Sequence, residues 1–412
     1  MLQRLFGSSY YRSAAGYLIL KVAVLGIAGL ISQSLLAHAL EKEDFGAVIW
    51  GWTMISIMAP FGLPGISVSI TGAAAKGFDG NFLRGSILEL KGGLYGGLVL
   101  LSMALAYLFR HQDVLFWIFI IAAVTGPGVW LDTPLSLWNG REDFRAIFRF
   151  SVGLRMIQFA ALIIVLLLAP HPALVFASQA AVAGAGNITA FFYLRRSGGL
   201  NNEYSKEFES YGWRYTWLIT AGTLASYMDK LIVGGFFGFK DLAVFAIGEL
   251  IYSYVFKVPS GMLAQIFIPR LARMKLGEAV RWVRRRYWYL AGAFVVAAGI
   301  AALLLPVVYP LLFTVRYAES IYYGYIFLAG VAASAPTVLI GSLMKGHALK
   351  KETTALSIFI TTISLVTVTI GGLVGGVPGV AWGRVTGYAV ISAGYITMLL
   401  VLSQRTEREV RI

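Results

Sequence analysis

The sequence contains no cysteine among its 412 residues, which excludes disulfide bonds and thiol-based catalysis. Charged residues are also scarce, at 13% of the chain, whereas a soluble domain has roughly 25%. The four histidines, His38, His111, His171 and His347, are scattered without the spacing of a metal site. The glycine-lysine loop of ATP-hydrolysing proteins is missing too. We therefore expect no metal, no cofactor and no ATP hydrolysis by this chain.

What the chain has in abundance is apolar sequence, with 58% hydrophobic residues and a mean hydropathy of +0.74. A helix needs about 20 apolar residues to cross a hydrocarbon core about 30 Å thick. Runs of this length recur from one end of the sequence to the other, which predicts an all-α polytopic membrane protein. We predict twelve transmembrane helices, near residues 14–39, 45–70, 87–109, 114–138, 148–169, 173–194, 213–237, 242–267, 287–314, 321–344, 353–375 and 378–402.

The first apolar run follows Arg4 and Arg12, an arrangement that could mimic a secretory signal peptide. It extends from Ala14 to about Ala39, which is longer than the apolar part of a signal peptide. No clear small-residue cleavage site follows it. We expect this segment to be retained as the first membrane span.

The formal net charge of +14 would suggest nucleic-acid binding in a soluble protein, but the positions of the cations favour another explanation. Of the 34 Lys and Arg residues, 25 lie in the two termini and the even-numbered connections, and four lie in the odd-numbered connections. Cytoplasmic loops carry the Lys and Arg excess, so we expect both termini in the cytoplasm. The stretch RWVRRRYW at 281–288 is then a topology anchor that contacts anionic lipid, not nucleic acid.

The two halves of the sequence repeat each other. Six spans per copy give both copies the same orientation, which predicts two six-helix lobes related by a parallel internal repeat. We expect an N-terminal lobe at 1–200, a cytoplasmic linker at 201–212 and a C-terminal lobe at 213–412. Three pairs of corresponding residues mark the repeat: Asp44 with Asp241, Gly140 with Gly346, and Pro172 with Pro378.

Several stretches resemble the polysaccharide flippases, the O-antigen and capsule branch of the multidrug/oligosaccharidyl-lipid/polysaccharide exporter superfamily. LLAHALEKEDFGAVIWGWTMISIMAPFGLPGIS at 35–67 is similar to the first loop and second helix of that family. DKLIVGGFFGFKDLAVFAIGELI at 229–251, with IFIPRLARM at 266–274, is similar to its seventh and eighth helices. The turns KGH at 345–347 and VPGV at 377–380 fit its tenth to twelfth helices.

The resemblance covers most of the chain and implies a V-shaped, two-lobed transporter that works by alternating access and is not an enzyme. It implies movement of an undecaprenyl-type, pyrophosphate-linked oligosaccharide from the cytoplasmic to the outer leaflet of the cell membrane. H⁺ or Na⁺ as coupling ion, membrane lipids and polysaccharide polymerase machinery are the further partners it suggests. One feature departs from the family: many members have an arginine soon after the second helix, whereas this chain has GISVSITGAAAKG at 65–77.

Charged residues inside the predicted spans are the candidates for a transport site. Each costs about 2.5–3.5 kcal/mol to insert, so each should face a partner or a wet cavity. Adjacent residues point about 100° apart on a helix, so Asp229 and Lys230 need different partners. We expect Asp132 to cap a broken helix. The candidates are Lys21, Asp132, Arg155, Asp229, Lys230, Glu249, Lys257 and Arg384.

A lipid pyrophosphate is an anion that cationic side chains bind through charge-assisted hydrogen bonds. Arg155 either joins such a site or extends to the cytoplasmic surface. Asp229 and Glu249 either bind a coupling ion or form structural pairs with Lys230 or Lys257, and structural pairing is also the alternative for each cation. The residues that we expect at the pyrophosphate are Lys21, Lys230, Lys257 and Arg384.

Two other functions compete with the flippase hypothesis. A cation-coupled multidrug exporter of the same superfamily would favour carboxylates in its cavity, whereas here five cations stand against three carboxylates among the candidates. A membrane glycosyltransferase, such as a polymerase or ligase, needs long outward loops that hold catalytic groups. The outward connections predicted here are short: EKED, RHQD, PHP, GFKD, VRYAES and GGVPG.

Overall fold

The structure is a computed structural model that describes residues 9–95, 97–197, 199–272, 274–347 and 349–411. Arg4 and Arg273, which belong to the cations counted above, lie outside the described residues. Throughout the described part of the chain the secondary structure is helical, without any β-strand.

Nine helices form the first half of the described chain, and short connections separate them. Proline occupies the first helical position of the third and ninth helices, where its missing N–H costs nothing. Gly97, with φ of +107°, separates the fourth helix from the fifth. The helices are α1 (Ser9–Ala39), α2 (Lys42–Met58), α3 (Pro64–Ala75), α4 (Gly80–Tyr95), α5 (Leu98–Leu108), α6 (Asp113–Val129), α7 (Thr133–Gly140), α8 (Phe144–Leu168) and α9 (Pro172–Arg196).

Seven helices form the second half of the described chain, and two of them run into π-helical turns. α10 continues into the turn Val233–Phe237, and α11 continues into the turn Ser253–Lys257. The helices are α10 (Lys206–Ile232), α11 (Phe239–Tyr252), α12 (Val258–Ala272), α13 (Leu276–Leu312), α14 (Ser320–Ser334), α15 (Thr337–Gly346) and α16 (Lys350–Arg411).

The helices supply the twelve predicted membrane passes. Among the described residues, eight helical segments are long and apolar enough to cross a membrane, and α14 with α15, bent by 47°, forms a ninth. The backbone of α16 leaves helical geometry at Gly375 and Gly376, so this helix makes two passes. The two other predicted passes, 87–109 and 213–237, fall on the broken pair α4 and α5 and on the long α10, which are not among those nine segments.

Some helices begin before the predicted spans. α4 begins at Gly80 and α13 at Leu276, whereas the sequence predicts spans from 87 and 287. The reason is that hydropathy marks only the apolar part of a helix. The charged turns at its end remain hydrogen-bonded helix although they extend beyond the hydrocarbon.

The internal repeat appears as breaks at corresponding places in the two halves. The second pass of the first half is interrupted by the 3₁₀ turn Ala59–Gly62, and that of the second half by the π turn Ser253–Lys257. The fourth passes are likewise broken, at 130–132 between α6 and α7 and at 335–336 between α14 and α15. Proline at or beside the breaks accounts for three of them, because it removes a helical N–H.

Large apolar side chains are exposed on helices from both halves. Leu168 of α8, Leu303 of α13 and Leu373 of α16 are 81%, 79% and 82% exposed. Extended apolar surface of this kind is unusual on a soluble protein and is the normal surface against lipid. The chain is a multi-pass membrane protein.

Contacts divide the chain into two compact units, Met1–Thr223 and Leu224–Ile412. The division falls inside α10, beyond the linker predicted at 201–212. The first turns of α10 pack within the N-terminal unit, where the backbone N of Gly65 donates to Thr216 Oγ1 at 3.1 Å. A Cβ on Gly65 would overlap the carbonyl oxygen of Gly212, so this helix contact requires glycine.

Residues before α10 are bound to the turn between α3 and α4 by a polar network. Asn81 Nδ2 donates to the carbonyl of Ser205 at 2.8 Å, and the backbone N of Ser205 donates to Asn81 Oδ1 at 2.8 Å. Asp79 Oδ2 accepts from the backbone N of Asn201 at 3.2 Å and from Arg141 at 2.8 Å. The stretch 199–205 is therefore held against the N-terminal unit.

Candidate functional site

Asp229 and Lys230 lie in the middle of α10 and have different partners, as their angular separation requires. Asp229 is fully buried, and its Oδ1 accepts a hydrogen bond from the backbone N of Lys230 at 2.8 Å. Its Oδ2 faces Arg384 of α16, whereas Lys230 Nζ donates to Glu249 of α11. Two adjacent charges inside an apolar helix are thus each neutralised by another helix.

Arg384 forms a clamp between α16 and α10. Its Nε lies 3.6 Å from Asp229 Oδ2 and donates to the Tyr388 hydroxyl at 2.9 Å. Its Nη1 and Nη2 donate to the carbonyls of Ala225 and Ser226 at 2.8 and 3.0 Å. The residue is 5% exposed. A guanidinium group presents its donors as a planar fork, and here this fork is occupied by α10.

Glu249 joins two lysines. Its Oε2 accepts from Lys230 Nζ at 2.5 Å, and its Oε1 accepts from Lys257 Nζ at 2.6 Å. The side chains of Glu249 and Lys230 are 4% and 14% exposed, whereas that of Lys257 is 44% exposed. Lys257 is therefore the member of this triad that can meet an incoming ligand.

The π turn explains why residues 249 and 257 share a face. Eight residues exceed two regular α-helical turns, so in an uninterrupted helix the two side chains would diverge. The turn Ser253–Lys257 has i→i+5 hydrogen bonds and is wider, which takes up the extra residue. Lys257, at the end of this turn, points back to Glu249. Single π turns in α-helices occur frequently at functional sites.

Two tyrosines connect the triad to the Arg384 clamp. The rings of Tyr252 and Tyr388 stack with centroids 4.8 Å apart and an angle of 9°. The Tyr252 hydroxyl bonds to Ser334 Oγ at 2.9 Å, and its ring lies 5.5 Å from Lys257 Nζ. Tyr388 accepts from Arg384, as described above. The charged groups and the aromatic pair therefore form one connected cluster, which we call the C-terminal charge cluster.

The C-terminal charge cluster carries a single excess positive charge, because three cations face two carboxylates. Buried ions are tolerated when each has a partner, and both carboxylates here have cationic partners. The excess charge is accessible at Lys257. The arrangement can attract an anion at that end, while its buried end stays neutral.

In the N-terminal unit the predicted site residues do not form ion pairs with one another among the described residues. Arg155 of α8 donates to Ser32 Oγ of α1 at 3.5 Å. Lys21 of α1 is half-buried and interacts electrostatically with Asp132, but among the described residues no ion pair within 4 Å includes it. Asp132 is the N-cap residue of α7 and is exposed; its side chain makes no capping hydrogen bond. The predicted helix break is present, but the predicted capping bond is not.

Glu89 of α4 is a further carboxyl group in the N-terminal unit. It is 3% exposed, and its Oε1 accepts from Ser67 Oγ at 2.7 Å. Its Oε2 is buried and has no hydrogen-bond partner among the described atoms. In the part of the chain that the structure describes, no grouping of three or more His, Asp or Glu side chains could hold a metal ion.

The sequence pattern of a protein family described as "Polysaccharide biosynthesis protein" matches residues 35–324. This match covers most of the chain. The chain belongs to this family. The family match confirms the resemblance that was based on residues 35–67 and 229–251, because both stretches lie in the matched region. No protein with a curated description matches the chain in sequence.

Solved structures show which fold this chain has. An inward-facing multidrug-resistance MATE transporter of the MOP superfamily superposes with a TM-score of 0.72 at 15% identity, covering 94% of this chain and 99% of that chain. A MATE protein in the straight conformation gives 0.67 at 15% identity, with 98% of each chain covered. A Pyrococcus furiosus MOP-superfamily transporter, described as having a binding pocket of reversed polarity, gives 0.68 at 15% identity over 97% of each chain. The chain therefore has the twelve-helix, two-lobe fold of MOP-superfamily transporters.

Several residues of the candidate site were not identified from the sequence. Glu89 lies inside the predicted span 87–109, and an intramembrane carboxylate is itself a signal that could have identified it. Tyr252 and Tyr388 give no such signal, because aromatic residues are frequent in membrane helices. Their role depends on the packing of α11 against α16, which residue spacing within one helix does not predict.

Proposed function

We propose that this protein is a transporter that moves a polyprenyl-pyrophosphate-linked oligosaccharide from the cytoplasmic to the outer leaflet for cell-surface polysaccharide assembly. Membership of the polysaccharide biosynthesis family and the MOP-superfamily fold support transport of such a precursor. The C-terminal charge cluster is the observation that favours an anionic substrate. Its carboxylates are paired, and its excess positive charge is exposed at Lys257.

Within this proposal the predicted cations divide into two groups. Lys257, which is half-exposed, contacts the pyrophosphate. Lys21 of the N-terminal unit, which forms no ion pair within 4 Å in the described chain, is a further cation able to bind an anionic group. Lys230 and Arg384 hold the cluster together through Glu249 and Asp229. These two carboxylates then serve as structural partners and not as the coupling-ion site.

We also propose an orientation of the protein in the membrane and a transport cycle. Both termini lie in the cytoplasm, because the Lys and Arg excess alternates with each pass. The cell membrane is the location, with alternating access and coupling to an ion. Polysaccharide polymerase machinery would receive the flipped product. The protein acts as a carrier and not as an enzyme.

A cation-coupled multidrug exporter is the second candidate. The observation that favours it is Asp132, an exposed acidic residue of the N-terminal unit, which could attract a cationic substrate. The two functions make opposite demands on charge. Lys257 would repel a cationic drug, whereas Asp132 would repel a pyrophosphate.

The test is leaflet exposure of a fluorescent polyprenyl-pyrophosphate oligosaccharide in proteoliposomes. We expect wild type to flip the lipid, and Lys257→Gln and Lys21→Gln to flip it about tenfold or more slowly, as the loss of a charge-assisted hydrogen bond implies. Lys275→Gln, which removes an exposed cation at the start of α13, is the matched control. Wild type that expels a cationic dye but moves no lipid-linked sugar would establish the second candidate instead.

A further inference from the structure

Glu89 is enclosed by the N-terminal unit without a cationic partner. Glu89 is 3% exposed, and its Oε1 accepts a hydrogen bond from Ser67 Oγ at 2.7 Å. The backbone N–H groups of Ser67 and Asp132 also interact with its carboxyl group. Oε2 is buried and makes no hydrogen bond of ordinary geometry with the described residues. The ion pairs of the described residues include both carboxylates of the C-terminal charge cluster but not Glu89.

The elements that pack against α4 offer little charge to Glu89. The main ones are α3, the turn Ala59–Gly62, α5, α6 and α7. The sequences of these five contain one charged residue, Asp113, at the far end of α6 and about 24 Å along the helix from Val129. α10 also reaches α4, through Glu209, which pairs with Arg84. Tyr107, near the end of α5, is 69% exposed. Among the described residues, the titratable group close to Glu89 is Asp132, the N-cap residue of α7, which interacts electrostatically with Glu89 and with Lys21.

The other charged residues of α4 that lie near Glu89 in the sequence point away from it. At 100° per residue, Arg84 and Lys91 lie about 140° and 160° around the helix from Glu89. Arg84 pairs with Glu209 at 2.7 Å, and Lys91 is exposed. A carboxylate in this setting would be an uncompensated buried charge. Such a group takes up a proton instead.

Polar groups of α4 and α7 meet one helical turn from Glu89. Ser86, one helical turn before Glu89, bonds through its hydroxyl to Thr133 Oγ1 at 2.6 Å. Both of these residues are fully buried, and Thr133 is adjacent to the exposed Asp132. Glu89 itself interacts with Asp132, an exposed residue, so the buried carboxyl group has a titratable neighbour that water can reach.

We propose that Glu89 is a reversible proton-binding site of this protein, and that Asp132 exchanges its proton with water. Resting on the proposed function, protonation of Glu89 couples transport to a proton gradient. The site differs from Asp229 and Glu249, which are neutralised by lysine and arginine. It lies entirely within the N-terminal unit.

Infrared spectroscopy of the purified full-length protein tests proton binding without any substrate. We expect a carboxylic-acid C=O band near neutral pH that shifts in D₂O, disappears as the pH rises, and is absent in Glu89→Gln. Ser67→Ala, which removes the donor to Oε1 but keeps the carboxyl group, should shift the frequency of this band. Glu203→Gln, at an exposed position, is the control and should retain the band.

Three results would overturn the proposal. The first is a spectrum in which no band depends on Glu89. The second is a Glu89 band that neither shifts in D₂O nor titrates, because that proton would be permanently enclosed. The third is a band removed by sodium chloride but not by choline chloride, which would make the site a sodium site.

Transport in proteoliposomes tests coupling separately. We expect a pH gradient to accelerate flipping by wild type and to have no effect on Glu89→Gln, although Glu89→Gln still binds the lipid-linked oligosaccharide. Glu89→Gln that still responds to the gradient would overturn the coupling role. If wild type flips no lipid-linked sugar, the proposed function fails, whereas the infrared result for Glu89 stands on its own.

Discussion

Arg384 holds Asp229 and the helical turn before it at the same time. Its Nε lies 3.6 Å from Asp229 Oδ2, while its two terminal nitrogens donate to the carbonyls of Ala225 and Ser226 at 2.8 and 3.0 Å. One guanidinium therefore neutralises a buried carboxylate and fixes α16 against α10. This fork cannot be reproduced by lysine, whose ammonium is a single point of charge.

Replacing Arg384 should strongly destabilise the protein. Arg384→Leu leaves Asp229 buried without its cation, which costs about 3–5 kcal/mol in the free energy of unfolding. Arg384→Lys should recover only part of this loss. Denaturant titration in detergent measures the effect. The control is Arg405→Ala, whose side chain is 61% exposed and pairs with Glu352 at 3.7 Å; it should cost less than about 1 kcal/mol.

A double variant separates loss of the pair from loss of packing. Asp229→Leu combined with Arg384→Leu removes both charges, so we expect it to be more stable than Arg384→Leu alone. If the double variant is no more stable than the single one, the buried charge of Asp229 is not the cause of the destabilisation.

Glu249 and Lys257 should differ sharply in their effect on stability. Glu249→Gln leaves Lys230, which is 14% exposed, without its carboxylate and should cost about 3–5 kcal/mol in the free energy of unfolding. Lys257→Gln removes a half-exposed partner and should cost less than about 1 kcal/mol. Thermal or denaturant unfolding of both variants in one detergent provides the comparison. Equal losses would contradict the assignment of Lys257 to ligand contact.

Asn81 should control access of proteases to the stretch before α10. Asn81→Ala removes two reciprocal bonds to Ser205, worth about 1–3 kcal/mol together. The open population of the stretch 199–205 should rise at least about fivefold, with faster tryptic cleavage at Lys206. Glu203→Ala is the control, because the network uses the backbone of Glu203 and not its side chain. Unchanged cleavage in Asn81→Ala would show that the network does not restrain this stretch.

Gly375, at the break in α16, and Gly379, after the break, should differ in their tolerance to substitution. A Cβ on Gly379 would overlap the carbonyl oxygen of Gly371 on the opposite segment, so Gly379→Ala should cost about 1–3 kcal/mol or more. Gly375→Ala meets nothing within 4 Å and has φ of −126°, so it should be tolerated. Expression level and thermal unfolding of the two variants measure this contrast. A destabilised Gly375→Ala together with a stable Gly379→Ala would contradict the packing seen here.

Residue patterns predicted the location of the charges in the spans but not their pairing. The adjacency of Asp229 and Lys230 requires separate partners, and this requirement follows from helix geometry alone. Which partners they find depends on the packing of α10 against α11 and α16. This packing brings Arg384 to Ser226, 158 positions away in the sequence, and Lys230 to Glu249, 19 positions away. The π turn that brings Lys257 to Glu249 also had no sequence signal.

The sequence by itself determined the membrane fold of this protein, because the hydrocarbon core requires long apolar helices and penalises every charge placed within them. It therefore also determined the twelve passes, the internal repeat and the identities of most intramembrane charged residues. Only the tertiary structure decided which charges are neutralised. Arg384 is enclosed, Lys257 is accessible, and Glu89 is buried without a cation. The physical reason is that an ion pair depends on distances of a few ångströms between different helices, and these distances are fixed by side-chain packing.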